Sequence, residues 1–178
     1  MANYEYDPWV IEELNRVLRG MFSTPGISLK RTSLREDLAG ADLRYVVNNN
    51  CPLAIRLRFD RPAGAADTDI TFRTTEPSMI IRGTYAPLGI TCWFVKHHIV
   101  AAKLVDIYRM ADRIRPSLED RECTVNFDET TAFVCVGIDE LHKAGALLRI
   151  YDGNVWATAV LGGEKRMNDI LKAANEAA

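Results

Sequence analysis

The run Leu53-Ala54-Ile55-Arg56-Leu57-Arg58-Phe59 constrains this chain more than any other feature. Leu53, Ile55, Leu57 and Phe59 fall on every second position, with Ala54, Arg56 and Arg58 between them. Side chains alternate sides along a strand, so the pattern predicts a half-buried strand with an arginine-bearing face. Such a strand needs a sheet to join and a layer to cover its apolar side.

The neighbouring segments supply both. Asp7-Pro8 places a capping residue before a proline at the first helical position. Val10, Ile11, Leu14, Val17, Leu18 and Met21 then recur at helical spacing, which predicts a helix over Pro8–Arg19. Phe22–Arg31, with Pro25-Gly26, reads as a loop, and Ser33-Leu34-Arg35-Glu36 has capping-box spacing. A strand at Leu43–Val47 is expected to end in a turn at Asn48-Asn49-Asn50, with further strands of the central sheet at Asp69–Arg73, Thr91–Val95 and Ile99–Val105, the last two joined by Lys96-His97-His98. A helix follows from Asp106 or Ile107 to Arg113, ended by Pro116. Thr131–Gly137 reads as a strand and Ile138–Ala144 as a helix closed by Gly145. Leu147–Tyr151 and Val155–Val160 flank Asp152-Gly153 as a hairpin, and a last helix runs through Ala174.

With 178 residues, 48% hydrophobic and 26% charged, the chain fits one globular domain and is neither disordered nor collagen-like. No stretch reaches the ~18–20 apolar residues of a membrane span. Met1–Asp7 lacks the basic and apolar regions of a secretory signal. Cys51, Cys92, Cys123 and Cys135 form no C-x-x-C pair and fit no zinc spacing, so free thiols in a cytoplasmic protein are expected. The net charge of −2 conceals a division. Residues 44–115 carry 11 basic and 6 acidic side chains, and residues 116–178 carry 6 basic and 11 acidic. The basic centre faces either a phosphate-bearing partner or its own acidic tail. Gly162-Gly163-Glu164-Lys165 lacks Walker spacing and there is no G-x-S-x-G, which sets aside P-loop ATPase and α/β-hydrolase chemistry. His97-His98 reads as a strand–turn pair rather than a metal pair, because adjacent extended residues point to opposite faces. Trp93, Trp156 and Cys135 read as packing residues and His142 as a surface residue.

Several motifs in order carry a resemblance. Gly40-Ala41-Asp42 precedes the first strand, and Ile55-Arg56-Leu57-Arg58 is followed by Ile70-Thr71-Phe72-Arg73 and by Thr75-Glu76-Pro77-Ser78-Met79-Ile80-Ile81-Arg82-Gly83. Cys92-Trp93-Phe94, Lys103–Ile107, Asn126–Phe133 and Glu140–Leu148 complete the series. Over Asp37–Leu148 this order resembles phage and mobile-element proteins of the PD-(D/E)XK nuclease type. The resemblance implies an α+β (α/β) fold: a central mixed sheet flanked by helices, restriction-endonuclease-like, with a core over 1–148. Residues 149–178 would add a C-terminal hairpin and helix to the same domain.

It further implies a metal-dependent nuclease acting on nucleic-acid phosphodiesters. Asp42 and Glu76 would hold Mg2+ or Mn2+, Asp69 would serve as a further catalytic carboxylate, and Arg56, Arg58 and Arg73 would hold the substrate phosphate. The chain also departs from that pattern. The strand expected to carry (D/E)-x-K has Arg56 and Arg58 and no carboxylate until Asp60, Met79 stands where a lysine belongs, and Pro77 follows Glu76. Those departures support an alternative: a catalytically degenerate fold that binds nucleic acid, or a host protein as an inhibitor. A third reading places a nucleotide in the arginine cleft. The acidic final third is the expected face for a protein partner or for a homodimer.

Overall fold

The computed structural model describes residues 8–21, 28–31, 43–47, 49–59, 69–125 and 132–176. The first helix, α1 (Pro8–Met21), is followed by β1 (Ser28–Arg31), β2 (Leu43–Val47), β3 (Asn49–Phe59) and β4 (Asp69–Arg73). Then come α2 (Glu76–Ile81), β5 (Leu88–Val95), β6 (His98–Asp106), α3 (Ile107–Arg113) and a 3-10 turn at Leu118–Asp120. The chain continues through β7 (Thr124–Val125), β8 (Ala132–Gly137), α4 (Ile138–Lys143), β9 (Leu147–Tyr151), β10 (Trp156–Thr158) and α5 (Gly163–Glu176).

The architecture is α+β. A mixed central sheet has the order β1-β2-β3-β5-β6-β9-β10, and a second sheet has the order β4-β8-β7. β3 and β5 run parallel, in register from Leu53 opposite Leu88 to Phe59 opposite Phe94. The other neighbours are antiparallel. Three expectations are corrected. Ser28–Arg31, read as loop, is an edge strand paired with β2. The turn expected at Asn48–Asn50 gives way to β3 at Asn49. Asp69–Arg73, expected in the central sheet, belongs to the second one, where it pairs with β8. Ile70 and Phe72 are buried against the central sheet, while Asp69 and Thr71 are half-buried and Arg73 is exposed, so β4 lies over the sheet rather than beside it.

The alternation in β3 sorts the interior into two cores. Leu53 and Ile55 face α1 and α5, packing with Val10, Leu14, Leu18, Met167 and Ile170. Ala54 lies on the opposite side, where β4, α2, α3 and α4 cover a second cluster including Phe72, Ile80, Tyr85, Trp93, Met110 and Leu141. The C-terminal elements belong to this body: β9 is a strand of the central sheet beside β6, and α5 packs on the first core. Asp106, fully buried where β6 passes into α3, accepts the Arg109 backbone N–H at 3.1 Å and the Arg166 Nε–H at 2.7 Å, fastening α5 to the centre. The Asp152-Gly153 hairpin forms as expected, with Asp152 Oδ1 accepting the N–H groups of Asn154 and Val155. Gly153 is required there: its φ is +97° and a Cβ would meet the Val100 carbonyl oxygen at 2.9 Å. Among the described residues no helix is long and apolar enough to cross a membrane. Cys92, Cys123 and Cys135 carry free thiols.

Candidate functional site

Arg56 and Arg58 project from the side of β3 that faces the second sheet, as the alternation requires. Arg56 lies opposite Thr91 on β5, and Thr91 lies opposite Lys103 on β6, so a polar row crosses an otherwise apolar face. Thr91 and Lys103 are buried, and the Lys103 ammonium stands 5.3 Å from the centroid of the Trp93 ring. α2 begins at the far end of β4. Glu76 occupies its first turn, where the helix dipole favours a carboxylate, and Pro77 is tolerated because first-turn N–H groups have no intrahelical acceptor.

Glu76 is the centre of this region. It is 5% exposed, and the Arg56 Nη2 donates to both its oxygens at 2.6 Å. The Arg73 backbone N–H donates to Oε2 at 2.5 Å, and the Tyr85 hydroxyl to Oε1 at 3.2 Å. Tyr85 is held in turn, its carbonyl accepting the Tyr108 hydroxyl. Burial pushes the Tyr108 hydroxyl above its ordinary value, which keeps it a donor. One carboxylate thus ties β3, β4, α2 and the segment before β5 into a single clamp.

The residues expected to form a site are distributed unevenly. Arg56, Glu76 and Arg73 converge, and Arg58 reaches β4 as well, donating to the Thr71 hydroxyl and to the Leu57 carbonyl. Asp69 does not join them. It opens β4, four residues before Arg73, or about 13 Å at the rise of a strand. There it neighbours Cys135, whose thiol is pushed up chiefly by burial and secondarily by this carboxylate. Asp42 and Asp60 lie outside the described residues.

A divalent ion needs carboxylate oxygens that converge with free lone pairs. Among the described residues this donor set does not fit one: the oxygens of Glu76 face an arginine and two other donors, and Asp69 is a strand's length away. No group of three His, Cys, Asp or Glu side chains capable of holding a metal occurs among them. The arginine cleft is equally narrow. The cavity bordered by Arg56, Thr71, Phe72, Tyr85 and Thr91 measures about 20 Å³, enough for one water and too small for a phosphate ester.

Two residue pairs have no counterpart in the expectations. Trp9 on α1 stacks on His97 in the β5–β6 turn, with ring centroids 4.4 Å apart and planes inclined by 23°. Glu13 and Arg16, also on α1, form an ion pair beside it. A helix opening on Pro8-Trp9 with arginine at positions 16 and 19 was the available signal, but the ring that meets Trp9 comes from a distant turn. No family model, curated protein or solved structure matches the chain, so its own geometry is what bears on function.

Proposed function

We propose that the chain is a PD-(D/E)XK-like domain, of the kind carried by phages and mobile elements, that binds nucleic acid without cleaving it. The observation that carries this reading is the state of Glu76. In a working site its carboxylate would take a metal ion, whereas here Arg56 supplies the positive charge permanently. The guanidinium neutralises the carboxylate as a metal would, but it activates no water. The Arg56–Glu76 clamp therefore holds the fold of a nuclease together where the chemistry would have been. Arg73, exposed at the end of β4, lies on that margin for phosphate contact.

Purified protein is expected to leave single- and double-stranded DNA and RNA intact in Mg2+ or Mn2+, and to bind at least one of them equally well with EDTA. Binding is expected to weaken as salt rises, because phosphate contacts release counterions. Cleavage that disappears in the Asp42→Ala variant would overturn this reading in favour of a metal-dependent nuclease. An absence of binding to every nucleic acid would transfer the function to a protein partner.

A further inference from the structure

The arginines facing the second sheet are mostly engaged in holding the fold. The opposite side of the central sheet offers a larger opening. There α1 and the β5–β6 turn line a groove of about 870 Å³, bordered by Trp9, Asn15, Arg16, Arg19, His97 and His98 among others. That volume falls within the range of ligand sites.

Four features of the lining point to one ligand chemistry. Trp9 is fixed by edge contacts to Phe59 and Phe94, with centroids 6.1 and 5.8 Å away, and so supports His97 from beneath. His97 is exposed, with one ring face stacked on Trp9. It sits in a two-residue turn made by Lys96 at φ +55°, between Val95 and His98, which are paired across the hairpin. Asn15 contributes a buried Oδ1 with no hydrogen-bond partner, an acceptor waiting for a donor. Arg16 and Arg19 follow one turn apart. The Arg16 side chain is 55% exposed while its Nε and Nη2 donate to Glu13. The acidic lining residues are Glu12, which is exposed, and Glu13, which is buried and already accepts Arg16 and the Ile99 N–H.

We propose that this groove binds a short stretch of single-stranded nucleic acid. One base stacks on His97 over Trp9, a ring or amino N–H on its pairing edge donates to the Asn15 Oδ1, and the next phosphates meet Arg16 and Arg19. Stacking on aromatic rings beside a basic track is how single strands are held without regard to sequence. From Pro8 to Arg19 the helix spans about 17 Å, longer than one nucleotide at the ~3.4 Å spacing of stacked bases. A duplex hides its base faces and cannot use the His97 ring. The inference rests on the reading of the chain as a nucleic-acid binder and gives that reading a location.

The test is fluorescence anisotropy with a labelled eight-nucleotide oligo(dT), competed with the same unlabelled strand, with a duplex and with dTMP. The single strand is expected to bind, the unlabelled strand to displace it, and the duplex and dTMP to compete poorly. His97→Ala should weaken binding roughly ten- to a hundredfold. Arg19→Ala should lower the slope of log affinity against log salt by about 0.7, the loss of one phosphate contact. Both positions are exposed, and equal urea midpoints for wild type and variants confirm that the fold is intact. Binding that survives both changes but is lost in Arg73→Ala would overturn the groove and leave the nucleic-acid reading standing. Preference for the duplex would overturn the groove in the same way. Failure of the wild type to bind any nucleic acid would overturn the reading itself, and the groove with it.

Discussion

Two buried glutamates face similar partners to different ends. Glu13 is 7% exposed and Glu76 5%, and each accepts a backbone N–H from a strand, Ile99 in one case and Arg73 in the other. Each also holds an arginine. Arg16 lies three residues from Glu13 on the same helix, its side chain 55% exposed. Arg56 lies twenty residues from Glu76 on another element, 19% exposed. The local pair costs little chain entropy and leaves its arginine at the mouth of a groove. The distant pair consumes its arginine as a staple. The same two side chains thus serve access in one place and closure in the other, and sequence separation decides which.

The largest effect should come from breaking the distant pair. Glu76→Ala leaves the Arg56 charge, the Arg73 N–H and the Tyr85 hydroxyl without their acceptor, and should cost about 3–5 kcal/mol in urea unfolding. Replacing both partners, Arg56→Met with Glu76→Leu, should cost clearly less, since neither buried charge is then left alone. Were Glu76 a strained ligand kept for catalysis, Glu76→Ala would stabilise the fold, and that result would sink the clamp. Glu13→Gln comes next. It keeps the shape but loses the charge, and about 1–2 kcal/mol at neutral pH is expected.

Acid titration sharpens the same point. Hydrogen bonds from Arg16, helped by the Ile99 N–H, hold the Glu13 carboxyl below its ordinary value against the opposing effect of burial. Its folded value is thus lower than its unfolded one, near 4.3. The stabilisation is complete above that value and is lost as pH falls through the folded one. Thermal melts between pH 7 and pH 2 should therefore show a smaller acid-induced fall in Glu13→Gln than in wild type. Arg16→Ala should cost a comparable amount, about 1–2 kcal/mol, because it leaves the buried Glu13 carboxylate with only the Ile99 N–H and the nearby His98. Its loss should also be felt in oligonucleotide binding.

What the sequence disclosed follows from the range of each interaction. The alternation around Arg56 is local and fixed both the strand and its arginine face. The residues of the clamp, Arg56, Glu76 and Arg73, were all recognisable as charged groups of interest. Their partners were not, because nothing local says that Glu76 turns to Arg56 instead of to an ion. The second sheet escaped for a related reason: Asp69–Arg73 carries a sound strand pattern, but a pattern does not name its neighbour. The same holds for Trp9 and His97, which meet only through the tertiary fold. The division of charge had left open whether the basic centre serves its own acidic tail. Among the described residues, an ion pair joining the two segments runs the other way, with Arg166 of the tail on Asp106 of the centre, while Arg121 of the tail is matched by Glu140.

The parallel pairing of β3 with β5 has a consequence for how the molecule assembles. β5 and β6 meet across a two-residue turn, and β9 and β10 across a short one, so those contacts close quickly. β3 meets β5 only between positions about 35 apart, and the intervening chain must lay down β4 and α2 on the way. Loop closure on that scale slows formation of the contact. The sheet should therefore grow outward from the β5–β6 hairpin, with the arginine strand docking late and the Glu76 clamp closing behind it.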